Sequence, residues 1–317
     1  MENKTALITG GTGYLGSHLS KALKKAGWKT FVYDKVKPKH NYADMCEVAD
    51  IRDRNSLENV FRKVKFDTVF HLAGRIEVGS SFEEPTEFWD VNTGGTATLL
   101  NMMKKYNVEK IVYSSTAGVY LSGGLAIPET ECTTNNHVYG NTKLASEYAI
   151  EDSGLKYIIF RYFNLAGADE DGEMGEDHEP ETHLIPQILT NLNNFKMFGD
   201  DYNTPDGTCI RDYVHVADVA DAHILAANYL EENVESQIVN LGTGKGHSIL
   251  EIISLIESCL NLKVNYTVLP RRKGDPDKLV ANVKYASELL NFKCKYDIMD
   301  IIKTAYNWHN KSWNIKI

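Results

Sequence analysis

A tyrosine and a lysine stand four residues apart in "HVYGNTKLASEYA", residues 137–149. Leu144, Ala145, Tyr148 and Ala149 recur at helical spacing, so the stretch reads as a helix. At i and i+4 the Tyr139 phenol and the Lys143 ammonium fall on one face, a turn apart. The chemistry open to such a pair is proton transfer. A free phenol titrates at about 10, too weak an acid to act as a base at neutral pH. A neighbouring ammonium favours the phenolate and is expected to lower that value. The pair alone is a weak signal, because most such spacings are surface or half-buried pairs.

A second constellation raises its weight. "TGGTGYLG", residues 9–16, lies between an apolar strand-like run, "KTALIT", and a helical pattern, "YLGSHLSKALKKAG", that Gly27 stops. Gly10, Gly13 and Gly16 fit G-x-x-G-x-x-G, and Gly11, Gly13 and Gly16 fit G-x-G-x-x-G. Such a turn brings backbone close to a pyrophosphate and aims a helix N-terminus at the anion. Asp34 ends the second strand, 18 residues beyond Gly16. A carboxylate there accepts hydrogen bonds from ribose hydroxyls and repels a 2′-phosphate. NAD is therefore expected over NADP, although Lys35, Lys37 and Lys39 weaken the preference.

Strand and helix alternate through residue 164. "KTFVYD" is a strand, "DRNSLENVFRKV" a helix and "FDTVFHLAG" a strand. "EPTEFWDVNTGGTATLLNMMKKYN" reads as one long helix, "VEKIVYSSTAG" as a strand running into a turn, and "LKYIIFRYFN" as a strong strand. Continuous apolar strands are buried on both faces, which predicts an α/β fold with a Rossmann-type doubly wound parallel sheet. After Asn164 an acidic loop-like segment leads into a smaller mixed α/β lobe. The expected domains are 1–165 plus about 210–245 for the dinucleotide, and about 166–209 plus 246–317 for the substrate.

The formal charge of −9 among 317 residues argues against a nucleic-acid partner. Five scattered cysteines, none in a C-x-x-C pair, argue for reduced thiols and no cysteine-ligated zinc. No apolar run reaches the length of a membrane span. The N-terminus enters a strand pattern at once, with no room for a signal peptide. A soluble cytoplasmic protein is expected. His178 and His183 flank the acidic loop without a familiar ligand spacing, so no metal is expected. Trp89, Phe160 and Trp308 sit in apolar patterns and are expected in the core.

Together these pieces resemble the extended short-chain dehydrogenase/reductases, and among them the UDP-glucose 4-epimerase family. The resemblance spans nearly the whole chain. It is carried by "TGGTGYLGSH", "HLAG", "VNTGGT", "SSTAGVY", "VYGNTKLASE", "RYFNLAGA", "GTCIRDYVHVADVADAH" and "PRRKGD" in that order. It implies a tightly bound NAD regenerated in each turnover, a UDP-sugar substrate and a homodimer. Thr116, Tyr139 and Lys143 would do the chemistry. Gly10, Gly13, Tyr14, Leu15, Gly16, Asp34, Asp50, Ile51, Leu72, Ala73, Gly74, Asn92, Ser114 and Tyr162, with Tyr139 and Lys143, would hold the cofactor. Asn164, His183, Leu184, Phe198, Arg211, Arg272, Asp275 and Leu279, with Thr116 and Tyr139, would meet the substrate. In this family the place of Leu279 lines the pocket around the sugar's C2 substituent. A tyrosine there goes with a plain hydroxyl, so leucine implies room for an N-acetyl group.

Some positions depart from the family pattern. Thr116 replaces a common serine, and His137-Val138 stands where Asn-Pro usually precedes the tyrosine. Arg75 and Ile76 follow "AG" in place of a lysine, and the segment from Asp34 to Asp50 is short. A sugar-nucleotide dehydratase or decarboxylase would need an acid just after Thr116, where this chain has Ala117 and Gly118. A non-catalytic NAD sensor on the same fold would have no need of the Tyr/Lys pair.

Overall fold

The computed structural model describes residues 4–40, 42–133, 137–178, 180–233, 235–272 and 274–313. In chain order the elements are β1 (Thr5–Thr9), α1 (Tyr14–Lys25), β2 (Lys29–Asp34), β3 (Met45–Val48), α2 (Arg54–Lys63), β4 (Thr68–His71), α3 (Val78–Glu83), α4 (Pro85–Phe88), a π-helical turn (Trp89–Gly94), α5 (Gly95–Lys105) and β5 (Lys110–Thr116). A 3₁₀ turn (Ala117–Val119), β6 (Gly124–Ile127), α6 (Val138–Glu151), β7 (Lys156–Tyr162), β8 (Asn164–Ala166), α7 (Leu184–Thr190), β9 (Phe195–Phe198) and β10 (Ile210–His215) follow. The chain ends with α8 (Val216–Glu232), β11 (Gln237–Leu241), β12 (Gly246–Ser248), α9 (Ile249–Leu260), β13 (Tyr266–Leu269), β14 (Lys278–Ala281), α10 (Lys284–Leu290) and α11 (Ile298–Trp313).

The chain divides into two compact units. The first comprises Met1–Leu121, Thr133–Arg161 and Ala220–Val239; the second comprises Ser122–Cys132, Tyr162–Val219 and Asn240–Ile317. The short run 122–132 thus groups with the second unit, because β6 pairs with β14 there rather than with the large sheet.

The first unit is built on a seven-stranded parallel sheet in the order β11-β7-β5-β4-β1-β2-β3. This is the expected α/β doubly wound fold. The order reverses between β1 and β4, and the C-terminal ends of strands at such a switch point form a ligand crevice. Register brings Thr9 level with Tyr33 on one side and His71 on the other, so the glycine turn leaves the sheet at that crevice. The central strands are apolar on both faces, as their fully buried Leu7, Ile8, Val69, Phe70, Ile111 and Val112 show. Helix ends follow local rules. Asp53 caps α2 by accepting from the Asn55 and Ser56 N–H groups, and Lys24 and Lys25 sit where the α1 dipole favours cations.

The single long helix read over 84–107 is interrupted. Its first turn, α4, passes into the π-helical turn around Asn92 before α5 begins. Gly95 lies under this turn, where an added Cβ would fall 2.6 Å from Ile51 Cγ2, so only glycine lets the helix approach so closely. π-turns of this kind often mark functional positions. Of the three aromatics expected in the core, Phe160 is fully buried and Trp308 half-buried. Trp89 is 42% exposed, because the adjacent Phe88 takes the buried place in that turn.

The second unit has a sheet in the order β12-β10-β14-β6, with β8 added to β10, and a separate β9/β13 pair. Its core gathers Ile185, Ile188, Leu189, Ile252, Ile256 and Ile301 from α7, α9 and α11. None of the described helices is long and apolar enough to cross a membrane.

Candidate functional site

In the first unit the glycine turn is shaped by close backbone approach. Gly10 has φ +72°, and a Cβ on it would lie 2.7 Å from Ala73 N and 2.8 Å from Leu72 C. Gly10, Leu72 and Ala73 are thereby brought together. A Cβ on Gly16 would strike Gly10 O at 2.2 Å. Gly13 differs: it is exposed, and its Cβ would meet only Gly10 O at 3.4 Å. It is the N-cap of α1, which has no side-chain cap and no acid in its first turn. This open cradle at an uncapped helix start fits a dinucleotide pyrophosphate. Tyr14 packs edge-on against His18, and Leu15 is buried, so Leu15 can offer a ligand only backbone.

Asp34 accepts the Thr12 N–H through Oδ2 at 3.0 Å and the Val36 N–H through Oδ1 at 3.1 Å. It fixes the turn and keeps lone pairs for ribose hydroxyls. Asp50 is engaged by Arg52, whose Nε and Nη2 donate at 2.9 and 2.8 Å, and this pairing holds its carboxyl below the usual range. The Ile51 side chain is buried in the core cluster. Any adenine contact from Ile51 is therefore through backbone, and from Asp50 through a carboxylate already shared with Arg52.

Asn92 is engaged within the protein. Its Oδ1 accepts the Arg75 N–H at 2.7 Å, and its Nδ2 donates to Arg75 O and to Thr142 Oγ1 at 3.1 and 3.0 Å. It latches the chain after β4 to α6 in place of reaching freely toward a ligand. Arg75, which stands where the family's lysine is absent, pairs with Glu84 at 2.5 Å and stacks on Phe88. A Cβ on Gly74 would lie 3.0 Å from Asn92 Oδ1 and 3.9 Å from Lys143 Nζ, which sets Gly74 between those two side chains.

Tyr139 and Lys143 occupy successive turns of α6. His137 is its N-cap, accepting the Gly140 N–H through Nδ1 at 3.0 Å, and its ring stacks parallel to that of Tyr139. The His137-Val138 departure therefore preserves a capped helix start. Thr116, at the end of β5, accepts the Gly118 N–H at 3.0 Å, and its hydroxyl lies on the side of the Tyr139 phenol, where it favours the ionised form. Ser114 alternates with buried Ser115 and so shares the face of Thr116. Burial pushes the Tyr139 phenol up to about 12, against the lowering effect of Thr116. The expected lowering by Lys143 is not what dominates here. Lys143 is itself buried, which brings it down to about 7, with Glu147 acting in the opposite direction. Its ammonium sits 4.3 Å above the Tyr113 ring.

Glu147 escaped the sequence reading. It is buried one turn beyond Lys143, pairs with Arg161 at 2.7 Å and accepts a hydrogen bond from Ser115. Arg161 also lies over the Tyr120 ring. The signal was available, since Tyr139, Lys143 and Glu147 follow one another at spacings of four.

The second unit gathers most of the expected substrate residues. Arg272 stacks over Phe198 at 4.2 Å, and Arg211 pairs with Asp275 at 3.5 Å. Leu279 is the register partner of Arg211 in the adjacent parallel strand, so the two share a face. Asn164 pairs in register with Tyr213, and Tyr162 is buried at the end of β7. His183 and Leu184 start α7, but the His183 imidazole is hydrogen-bonded to Glu176. Arg271, the neighbour of Arg272, turns to Asp201 and Tyr202.

Residues 6–242 match the model of the NAD dependent epimerase/dehydratase family. A UDP-glucose 4-epimerase of Rhizobium meliloti (strain 1021) is 41% identical over 323 residues, covering 98% of each chain. The UDP-glucose 4-epimerase from Brucella ovis in complex with NAD superposes with a TM-score of 0.91 at 40% identity, over 96% of this chain and 97% of that one. The enzyme of the same name from Bifidobacterium longum in complex with NAD+ and UDP gives a TM-score of 0.92 at 33% identity, over 98% and 99% of the two chains. A cradled glycine turn at a sheet switch point, a Tyr/Lys pair under a threonine hydroxyl and similarity over the full length lead to one assignment: the chain belongs to the NAD-dependent epimerase/dehydratase family, on its UDP-glucose 4-epimerase branch.

Proposed function

We propose that the protein interconverts UDP-glucose and UDP-galactose by inverting C4 of the hexose, with NAD as its cofactor, and that it also accepts the N-acetylated UDP-hexoses. The observation that carries the reaction is the Tyr139 phenol one helical turn from the buried Lys143, at the end of the strand that carries Thr116. Gly10, Gly13 and Gly16 would hold the dinucleotide pyrophosphate and Asp34 the adenosine ribose. Bound NAD supplies a reversible acceptor for the C4 hydride, which is why no net oxidation accompanies turnover.

Tyr139 takes the proton of the 4′-hydroxyl, directly or through Thr116, and returns it once the 4-keto sugar has presented its other face. Thr116 donates to the phenolate while the Gly118 N–H fixes the threonine oxygen. Lys143, one turn from Tyr139, would hold the nicotinamide ribose by hydrogen bonding. Arg211 and Arg272 would neutralise the UDP phosphates, since a guanidinium fork matches phosphate oxygens. Elimination chemistry finds no support, because the turn after Thr116 presents only Ala117 and Gly118.

Leu279 lacks a tyrosine's bulk and hydroxyl, which supports room for an acetyl methyl. Burying such a group contributes about 0.8 kcal/mol, whereas a clash costs more. Homodimerisation is supported by the exposed Trp89 and Tyr148, on the π-turn and on α6. Cytoplasmic location is supported by five free cysteines, with Cys46 and Cys132 exposed. The experiment is to offer UDP-galactose and UDP-N-acetylgalactosamine separately and follow the products by proton NMR. Conversion of both is expected. Conversion of the first alone removes the reading of Leu279, and conversion of neither removes the epimerase.

A further inference from the structure

Outside the residues discussed as catalytic, the densest group of possible ligands is in the second unit. Glu176, His178, Glu181 and His183 each offer one ligand atom, and these atoms lie within 4.8 Å of one another. They form two Glu-x-His pairs in "EDHEPETH". We propose that these four side chains form a binding site for a single divalent cation of the zinc class, tying the acidic loop to the start of α7.

Three observations carry this. The first is spacing. A tetrahedral zinc with bonds of about 2.0–2.2 Å needs ligand atoms roughly 3.3 Å apart. His178 Nε2 lies 3.1 Å from Glu176 Oε1 and 3.6 Å from Glu181 Oε1.

The second is orientation from behind. His178 Nδ1 faces the Pro180 carbonyl at 3.0 Å, a contact in which Nδ1–H donates. That contact turns the ring so that Nε2 faces the two carboxylates, the usual support behind a metal-bound histidine once Nε2 gives up its proton. Glu181 Oε1 accepts the His183 N–H at 2.8 Å, holding that carboxylate in the same way.

The third is an orphan. The Glu181 side chain is 8% exposed, and its Oε2 is buried with no hydrogen-bond partner among the described residues. A buried carboxylate oxygen left unsatisfied is costly. Histidinium–carboxylate pairs alone would hold Glu176 but leave Glu181 Oε2 unmatched. A divalent cation would balance the two carboxylates and give that oxygen a partner, with both histidines neutral. Nitrogen and carboxylate oxygen together suit zinc and its first-row neighbours better than magnesium or calcium. His183 and Leu184 begin α7, so the cation would also set the geometry of a segment proposed to contact the nucleotide.

The test uses the full chain as purified, treated with a chelator and freed of it by dialysis. Equilibrium dialysis against zinc chloride is followed by metal quantification, and cobalt(II) is added separately as a spectroscopic probe. The expected result is about one zinc per chain, weakened roughly tenfold or more in His178→Ala and in Glu181→Gln. Circular dichroism of each variant checks that the fold is kept. Cobalt should give visible d–d bands without thiolate-to-metal absorption. Absence of stoichiometric binding, equal binding by both variants, or a thiolate band placing the metal on cysteine would each overturn the proposal.

Discussion

At the scale of single residues the chemistry turns on how burial changes the Tyr139 phenol. Desolvation raises it to about 12, so the phenol is protonated at neutral pH before anything binds. Only the ionised phenol can act as base, and its fraction rises with pH toward that value. The rate constant kcat/KM is therefore expected to rise on the alkaline side of neutrality. Thr116 stabilises the ionised form, so Thr116→Val should move this limb to higher pH, and Thr116→Ser should leave it in place. Tyr139→Phe should remove the limb and reduce turnover by roughly 10²–10⁴-fold, the usual worth of a positioned acid/base. A limb unmoved in Thr116→Val would contradict the role given to the threonine hydroxyl. Lys143 behaves in the opposite sense. Burial lowers it to about 7, so its folded form releases a proton that the unfolded chain still holds. Between that value and the ordinary lysine range the unfolded chain binds more protons, and stability from this group rises with pH.

At the scale of elements, glycine decides how closely segments approach. Gly95 lets α5 settle on Ile51, and a methyl there would meet Ile51 Cγ2 at 2.6 Å. Gly95→Ala is expected to cost about 1–3 kcal/mol through overpacking. The check is the midpoint of urea unfolding, and an unchanged midpoint would show that the turn yields at no cost. The alternation of strands and helices and the glycine turn were legible in the sequence because they depend on local pattern. Asp34 was legible for the same reason, lying at a set distance from the turn at the end of a strand. The break in the long helix was not, and the close approach of Gly95 to Ile51 just after it joins residues 44 apart in the chain. The same holds for Asn92, whose partners Arg75 and Thr142 come together only through folding. Spacing shows which charges lie near the phenol but not how much water is lost there, so the rise on burial was not legible. The Glu176 to His183 group was dismissed on spacing, yet loop folding brings its ligand atoms together without a helical or strand repeat.

At the scale of the whole molecule, helix surfaces beyond the core remain to be covered. Trp89 and Tyr148 are exposed at 42% and 53%, on the π-turn and on α6, two elements that pack together. A homodimer that buries them is expected, and light scattering at micromolar concentration should give twice the chain mass of 35.6 kDa. A monomer under those conditions would remove the dimer. The central claim is that the C4 hydrogen leaves and returns within one active site, on a cofactor that stays bound. The most direct measurement is proton NMR of UDP-galactose in heavy water with the protein as purified and no added NAD. The account predicts an equilibrium mixture of UDP-galactose and UDP-glucose, with the C4 proton fully retained in both. Deuterium at C4, or turnover that stops without added NAD, would contradict it.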